Sequence, residues 1–269
     1  MIVEHQKNGA EPRPNSDKNF PQGVALVIGG SGGIGRAICL TFAKQGSDVA
    51  FTFRNNAQAA EALLEELTQY GVSAQALKLD LTDRSAMGPL FDTIASSAPA
   101  IHSIVYAAGI DISMTYVSNV DPDEWQLAID SELGGFFNLI KAALPVLRKQ
   151  GGGSIVAVTS AGIHRHPPLD ILSVAPKAAI ESLVRAIARE EGRYKIRANS
   201  VAPGVIDAGL FDRLRTRVTP EFVKAMERNT ALKRFGTVEE VSQVVAFLCS
   251  NASSYVTGQS ICVDGGYAI

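Results

Sequence analysis

A short apolar run that leads through a glycine-rich turn into a helical pattern constrains this fold more than any other part of the sequence. Val24–Ile28 has the length and the β-branching of a fully buried strand. Five glycines follow in the next seven residues, and Ile34, Ile38 and Phe42 then recur at helical spacing. Such a turn lets the backbone approach a ligand, and the helix start offers free N–H groups. The unit is therefore typical of a site for the pyrophosphate of a dinucleotide.

The glycines fit two overlapping dinucleotide-binding templates. Gly30, Gly32 and Gly35 match G-x-G-x-x-G, whereas Gly29, Gly33 and Gly35 match G-x-x-x-G-x-G. A glycine-rich turn that holds no ligand is the plain alternative. The order of strand, turn and helix favours nucleotide binding over that alternative.

The length and composition of the chain favour one large domain. The chain has 269 residues, of which 46% are hydrophobic, and this is enough for a sizeable core. The net charge is −2 at pH 7, so neither a nucleic acid nor an anionic membrane is an expected partner. No apolar run approaches the roughly 18 residues of a membrane span.

The first 22 residues differ in composition from the rest. They are polar, they include Pro12, Pro14 and Pro21, and they lack the apolar stretch of a signal peptide. We therefore expect a flexible tail over residues 1–22 and a nucleotide-binding domain over residues 23–269.

The cysteines indicate a reducing compartment. Cys39, Cys249 and Cys262 are few, odd in number and scattered, which favours reduced thiols and a cytoplasmic protein. None lies beside a histidine at the spacing of metal ligands, so no metal site is predicted.

Apolar strands alternate with helical patterns along the remaining chain. The predicted strands cover residues 24–28, 48–53, 74–79, 101–106, 154–160, 196–201 and 260–263. The first predicted helix ends at about residue 45. The other predicted helices cover residues 57–70, 85–97, 125–149, 176–191 and 238–250. This alternation predicts a single Rossmann-type α/β domain, a doubly wound parallel sheet with helices on both faces. A polar helical stretch over residues 210–232, within a region that begins at residue 208, predicts a lid over the substrate.

The end of the second predicted strand favours NADP(H) over NAD(H). A site for NAD usually places a carboxylate here for the ribose 2′-hydroxyl, but this chain has Phe53 followed by Arg54. An arginine can pair with a 2′-phosphate. A solvated loop arginine is the alternative interpretation of Arg54.

Further motifs give the chain a resemblance to the short-chain dehydrogenase/reductase family over residues 24–267. Besides the turn at Gly29, Gly33 and Gly35, the motifs are Asp80-Leu81, Ala107-Ala108-Gly109, Pro203-Gly204-Val205-Ile206, Thr257-Gly258-Gln259 and Val263-Asp264-Gly265-Gly266. Tyr106 stands where the family has asparagine. The resemblance implies cofactor contacts from Gly29, Ser31, Gly33, Ile34, Gly35, Arg54, Asp80, Leu81, Ala108, Gly109, Lys177, Pro203, Gly204 and Ile206.

The catalytic positions depart from the family pattern of Asn, Ser, Tyr and Lys. Lys177 and Ser160 match, but Ser173 stands four residues before Lys177, where the family has tyrosine. Glu132 takes the place of the helical asparagine, and Ala208 replaces a threonine.

This departure affects the expected chemistry. In the family the tyrosine protonates the substrate oxygen, the lysine lowers the pKa of that tyrosine and binds the nicotinamide ribose, and the serine orients the substrate. The hydroxyl of Ser173 is a far weaker acid than a phenol and reaches less far, although it could hold a water. Glu132 is expected near Lys177, where it either takes part in a proton relay or forms a structural salt bridge.

Other residues could supply the missing acid. The 2,4-dienoyl-CoA reductases of the family also lack the tyrosine; some use an acid four residues after the lysine, here Glu181, and others a tyrosine at the position of Gly162. His164, His166 and Asp170 lie on the loop between Ser160 and Ser173, and a histidine can donate a proton near neutral pH. Each of the three loop residues could equally be solvated and without a role.

The sequence thus predicts an NADPH-dependent oxidoreductase that reduces an activated C=C, a C=N or a carbonyl of a small organic substrate. A non-redox isomerase, lyase or cyclase on the same fold and a nucleotide-binding protein without catalysis are the alternatives. We also expect a homodimer or homotetramer, because the helices over residues 125–149 and 176–191 carry Phe136, Phe137, Leu183 and Ile187 and pair across a two-fold axis in the family.

Overall fold

The computed structural model describes the backbone of residues 2–5 and, in full, residues 19–209, 211, 215–216 and 218–269. Its strands are β1 (Ile2–His5), β2 (Val24–Ile28), β3 (Asp48–Phe53), β4 (Ala74–Lys78), β5 (Ile101–Tyr106), β6 (Gly153–Val158), β7 (Ile196–Pro203) and β8 (Ser260–Val263). Its α-helices are α1 (Gly33–Lys44), α2 (Ala57–Thr68), α3 (Met87–Ser97), α4 (Pro122–Ala128), α5 (Gly135–Gln150), α6 (Gly162–Arg165), α7 (Ile171–Glu191), α8 (Pro220–Arg228) and α9 (Val238–Cys249).

All described strands join one sheet in the order β1-β4-β3-β2-β5-β6-β7-β8. The strands β2 to β8 run parallel, and only β1 pairs antiparallel, with β4. The chain order reverses at β2, whose neighbours are β3 and β5, so a crevice opens beyond the carboxyl end of β2. The predicted doubly wound fold is confirmed.

The core lies in two layers because apolar residues cover both faces of the sheet. One layer packs α1, α2 and α9 on the sheet through residues such as Phe42, Leu63 and Val245. The other packs α3, α5 and α7 through residues such as Phe136 and Ile180. Strands buried on both faces explain the continuous apolar runs of the sequence.

Two parts of the N-terminal segment differ from the flexible tail that its composition predicts. Ile2–His5 pairs with β4, with Ile2 opposite Leu77. Phe20 is buried and stacks on His102 at 5.4 Å between ring centroids. The backbone pairing and the aromatic contact are tertiary interactions that a polar composition does not reveal. Residues 6–18 lie outside the described part of the chain.

The long helix predicted over residues 125–149 is divided. α4 passes into a π-helical segment, Ile129–Gly134, before α5 begins at Gly135. π-helical turns inside helices are frequent at functional sites. Glu132 lies within this segment.

The helix that carries Lys177 begins earlier than predicted. α7 starts at Ile171 and includes Pro176, whose position in the sequence indicated a helix start. Ser173 and Lys177 are therefore one turn apart on the same helical face.

The lid region contains one described helix, α8, which Thr219 caps by accepting a hydrogen bond from the Phe222 N–H. Residues 210, 212–214 and 217 of the predicted lid lie outside the described residues. Within the described part of the chain, no helix combines the length and apolarity needed to cross a membrane.

Candidate active site

The glycine turn between β2 and α1 is so compact that side chains at its glycines would collide with the backbone. Gly29 has φ +79°, and a Cβ there would lie 2.8 Å from the Cα of Ala108. A Cβ on Gly35 would overlap the carbonyl oxygen of Gly29. The Gly29 N–H donates to Oγ1 of Thr52 at 3.1 Å, which ties the turn to β3.

The start of α1 offers N–H groups to an anion. Gly32 caps the helix without a side-chain hydrogen bond, and the first turn contains no acidic residue. Ser31, Gly33 and Ile34 are partly buried at this end. A dinucleotide fits this cradle, because its pyrophosphate would take the space that side chains cannot occupy and would meet the positive end of the helix.

The end expected to hold the adenosine is bordered by charged residues. Arg54 is exposed just after β3. The Thr82 N–H and Oγ1–H donate to Oδ1 of Asp80 at 2.9 and 2.7 Å. The pKa of Asp80 lies below its ordinary value, mainly because of the hydrogen bond from the Thr82 N–H. The hydrogen bond from the Thr82 hydroxyl and the charge of Arg54 lower it further. Arg54 and Asp80 therefore lie close enough to interact electrostatically.

A cavity of about 150 Å³ lies between α2 and the strands β3 and β4. Phe53 and Asn55 line it, and so does Lys78, which pairs in register with Phe53. Lys78 is a second cation near the end of β3 that the sequence interpretation missed. The sequence pattern of the strand could not reveal this, because only the pairing of β3 with β4 brings Lys78 to the end of β3.

The ends of β5 and β7 complete the edge of the crevice. The Ala107 N–H donates to the carbonyl oxygen of Ile28, so Ala108 and Gly109 follow directly at the glycine turn. On the other side, the Gly204 N–H donates to Val263 at 3.0 Å, and Ile206 forms a β-bridge with Gly236. Both loops are thus fixed by backbone hydrogen bonds at the crevice.

Leu81 packs against the helix that follows the π-helical segment. A Cβ on Gly135 would lie 2.8 Å from the Cβ of Leu81, and Asn138 donates to the Leu81 carbonyl oxygen at 3.2 Å. The loop after β4 is therefore held beside α5, on the same edge of the sheet.

The lysine and both serines lie at this edge as the sequence predicts. Nζ of Lys177 donates to Oγ of Ser173 at 3.1 Å. Oγ of Ser160 accepts a hydrogen bond from the Gly162 N–H at 3.1 Å. A Cβ on Gly162 would lie 3.1 Å from both Ser160 Oγ and Val174 Cγ2, so this position lies between the serine and α7 and is too tight for a larger side chain.

Glu132 is almost fully buried, at 3% exposure. Its Oε1 accepts a hydrogen bond from the Ile110 N–H at 2.9 Å, whereas Oε2 has no partner among the described residues. Oγ of the adjacent Ser131 is likewise buried without a described partner. The hydroxyl of Tyr106 donates to the carbonyl oxygen of Glu132 at 2.9 Å, which fixes the backbone of this segment. No ion pair within 4 Å joins Glu132 to Lys177 among the described contacts.

The loop candidates differ strongly from one another. Burial raises the pKa of Asp170 to about 6, although the charge of Lys177 opposes this shift. Asp170 precedes α7 and makes no side-chain hydrogen bond as its N-cap. His164 and His166 are exposed, whereas Asp170 is affected by the charge of Lys177.

Glu181 is engaged in a structural network. It is 2% exposed, and its Oε1 accepts hydrogen bonds from Thr159 at 2.9 Å and from Ser260 at 2.8 Å. These bonds join α7 to the loop after β6 and to β8. Glu181, the acid that the dienoyl-reductase pattern would use, is therefore buried and hydrogen-bonded to two hydroxyl groups.

The fold and the glycine turn define a Rossmann-type dinucleotide-binding protein, and comparison with known proteins agrees. The family model described as enoyl-(acyl carrier protein) reductase matches residues 29–268. A 3-oxoacyl-[acyl-carrier-protein] reductase of Staphylococcus aureus is 34% identical over 242 residues, which is 90% of this chain and 96% of that protein. A 7alpha-hydroxysteroid dehydrogenase of Escherichia coli is 33% identical over 260 residues, covering 94% and 97%.

A solved structure of a short-chain type dehydrogenase/reductase from Mycobacterium ulcerans superposes with a TM-score of 0.86 at 29% identity, covering 93% of this chain and 91% of the other. The chain belongs to the short-chain dehydrogenase/reductase family, a family of oxidoreductases.

Proposed function

We propose that this protein is an NADPH-dependent reductase of an activated C=C, a C=N or a carbonyl group, with an altered proton-donating site. The hydrogen bond from Lys177 to Ser173 carries the proposal. This bond supports the proposal that Lys177 is oriented for binding a cofactor. It also places the lysine next to Ser173, where the family pattern has a tyrosine.

Each residue of the site has a proposed task. Bound NADPH supplies the hydride. The glycine turn binds its pyrophosphate, Arg54 its 2′-phosphate, Asp80 and Leu81 its adenine, and Lys177 its nicotinamide ribose. The remaining contacts come from the backbone of Ala108, Gly109, Pro203, Gly204 and Ile206. Ser160 orients the substrate by a hydrogen bond, and Ser173 holds a water in the space of the missing phenol.

Three acidic or basic groups are the proposed partners of that water. Asp170 acts on Lys177 electrostatically and has its pKa raised to about 6, so it can exchange a proton near neutral pH. Glu132 has a buried oxygen, Oε2, without a described partner, which suits a bound water. His164 is the third candidate, an exposed imidazole on the loop that leads to α7.

The relatives define the range of substrates to test. Their names describe reduction of 3-oxoacyl and enoyl thioesters and oxidation of a hydroxysteroid. All three reactions add or remove a hydride at a carbon that is a carbonyl carbon or is conjugated to one. We therefore place the substrate among small ketones and conjugated thioesters, with cyclic imines as a further class.

The test is oxidation of NADPH at 340 nm with acetoacetyl-CoA, crotonyl-CoA, a 7-oxo bile acid and a cyclic imine. We expect turnover with at least one of them, and loss of both turnover and NADPH affinity in Lys177→Ala. Lys141→Ala, an exposed lysine of α5, is the matched control. Full activity and unchanged NADPH affinity in Lys177→Ala would refute the proposed site.

The burial of Glu132 favours one alternative. A buried carboxylate with a free oxygen can move a proton between two carbons, so a non-redox isomerase on the same scaffold is the second candidate. Tight binding of NADPH without its oxidation by any substrate of the panel would support this alternative.

We also propose that the protein is a cytoplasmic homodimer or homotetramer. Phe137 of α5 is 52% exposed and Leu127 of α4 is 56% exposed, which leaves apolar surface on neighbouring helices. Phe136 and Ile187, predicted at the interface, are instead buried in the core. Light scattering tests the assembly, and Phe137→Glu is expected to lower the mass. The three free cysteines support a reducing compartment.

A further inference from the structure

A buried carboxylate of α7 that the proposed reaction does not use lies one helical turn beyond Lys177. Glu181 is 2% exposed. It follows Lys177 by four residues, as Lys177 follows Ser173, so the three polar side chains occupy successive turns on one side of the helix. Burial of a carboxylate is costly unless hydrogen bonds compensate for the lost water. The contacts of Glu181 therefore indicate what it does for the site.

The hydrogen bonds of Glu181 lead to two different strands of the sheet. Oγ1 of Thr159 and Oγ of Ser260 donate to Oε1 of Glu181 at 2.9 and 2.8 Å. Thr159 follows directly after β6, Ser260 begins β8, and β7 lies between these two strands. On the other carboxylate oxygen, Oε2, the exposed Arg185 approaches to 3.9 Å. One buried oxygen thus joins α7 to both neighbours of β7.

The bond to Thr159 reaches the segment that carries Ser160. The Thr159 N–H donates to the carbonyl oxygen of Val201 at 2.8 Å, which ties this segment to β7 through the backbone. The Thr159 hydroxyl ties the same segment to α7 through Glu181. Ser160 is the next residue in the chain, and Lys177 lies one turn before Glu181 on the helix. The bond therefore links the two elements that carry the serine and the lysine of the site.

We propose, on the basis of the function proposed above, that Glu181 is a positioning residue whose hydrogen bond with Thr159 keeps Ser160 and Lys177 in register. The serine belongs to the loop after β6 and the lysine to α7, so a shift of the helix along the sheet changes their separation. Substrate held by the serine and nicotinamide ribose held by the lysine then lose the alignment for hydride transfer. Small misplacements of this kind cost up to about 10²-fold in rate.

The two hydrogen bonds of Glu181 differ in what they reach, and this difference separates positioning from stability. The bond to Thr159 ends next to Ser160, whereas the bond to Ser260 ends at the start of β8. Each bond joins a hydroxyl group to the same oxygen atom. Loss of either bond removes one hydrogen bond from the interior, but only loss of the first frees the segment of Ser160 from α7.

The kinetic test compares Thr159→Val, which removes the hydroxyl and keeps the branched shape, with Ser260→Ala as the matched control. The assay is NADPH oxidation with acetoacetyl-CoA and the other substrates of the panel. We expect kcat to fall about 10- to 100-fold in Thr159→Val and in Glu181→Ala, and to stay near the wild-type value in Ser260→Ala. Glu181→Gln keeps an acceptor oxygen for Thr159 and should restore most of the rate.

Two further measurements accompany these rates. The Kd for NADPH, measured by fluorescence, should stay unchanged in Thr159→Val, because the glycine turn and Lys177 are retained. The double variant Glu181→Ala/Thr159→Val should be no slower than the slower single variant, because both changes break the same bond. Equal rates in Thr159→Val and Ser260→Ala would show that Glu181 acts only on the stability of the fold and would overturn the inference.

Hydrogen exchange tests the same link without a substrate. The N–H groups of Thr159 and Gly162 are hydrogen-bonded, so their exchange reports on the segment around Ser160. We expect faster exchange over residues 159–163 in Thr159→Val than in the wild type and in Ser260→Ala. Unchanged exchange in Thr159→Val would contradict this inference alone. An inactive wild type that shows the expected exchange pattern would contradict the proposed function and support the link between the two elements.

Discussion

Lys177 donates a hydrogen bond from Nζ to Oγ of Ser173 across 3.1 Å, one helical turn away on the same face of α7. The two side chains lie at the carboxyl edge of the sheet, where the glycine turn and the loops after β5, β6 and β7 also end. A serine in this place accepts the hydrogen bond of the lysine, and its side chain is shorter than the phenol of the family pattern. The position thus keeps the lysine of the family pattern and lacks its tyrosine.

We predict that Ser173→Tyr creates or increases ketone reduction, because it places a phenol four residues before Lys177. The same change is expected to reduce the native activity, since the ring displaces water or part of the substrate. Steady-state rates with acetoacetyl-CoA and with the native substrate measure both effects. Ser173→Ala serves as the comparison: because it removes the hydroxyl that is proposed to hold the water, a loss of about 10²- to 10⁴-fold is expected, and a loss of less than tenfold would show that the serine has no part in proton transfer.

We predict that Arg54→Ala weakens NADPH binding by about 1.5–3 kcal/mol, which is roughly a ten- to hundredfold rise in Kd, through loss of a charge-assisted hydrogen bond. The affinity for NADH should hardly change, because NADH has no 2′-phosphate. Fluorescence titration with both cofactors measures the two constants. Arg189→Ala, an exposed arginine at the far end of α7, should leave both affinities unchanged. Equal losses for the two cofactors in Arg54→Ala would rule out phosphate recognition.

We predict that Glu132→Ala lowers the free energy of unfolding by about 1–3 kcal/mol, because it leaves the N–H of Ile110 without its acceptor and opens a cavity beside a π-helical segment. Glu132→Gln keeps a side-chain oxygen for that N–H and should retain most of the stability. Chemical denaturation of both variants gives the comparison. If the two variants were equally stable, the hydrogen bond to Ile110 would contribute nothing to the fold.

A buried histidine far from the site predicts the acid sensitivity of the fold. His102 lies between Oγ of Ser47 and Oγ of Ser103, at 2.8 and 2.9 Å, and burial lowers its pKa from 6.5 to about 4. The folded state therefore disfavours the charged ring. Its contribution to stability is present above pH 6.5 and is lost as the pH falls toward 4, by up to about 3 kcal/mol.

The measurement is the free energy of unfolding of the wild type and of His102→Gln between pH 7 and 4. Asp170 titrates in the same range with the opposite sign, since its pKa is raised in the folded protein, but it is present in both proteins and cancels in the difference. The wild type should lose more stability than the variant over this range. Parallel curves would mean that His102 carries no such penalty.

The sequence by itself determined the class of the fold and predicted where a nucleotide would bind. Strand runs such as Asp48–Phe53 and Ile101–Tyr106 and the turn at Gly29, Gly33 and Gly35 are local patterns, set by burial on both sheet faces and by backbone that excludes a Cβ. The serine four residues before Lys177 is also visible in the sequence, as the position where the family pattern breaks.

Only the tertiary structure decided which of the candidate acids are buried and what they contact. Glu181 contacts Thr159 and Ser260, which lie 22 and 79 residues away in the chain, and no periodicity relates the three residues. Their contact depends on how α7 packs against the loop after β6 and against β8. Likewise, Asp170 is buried whereas His164 is exposed, and Glu181 is hydrogen-bonded to two hydroxyl groups in the interior. Solvation and hydrogen bonding depend on neighbours that the local sequence does not specify.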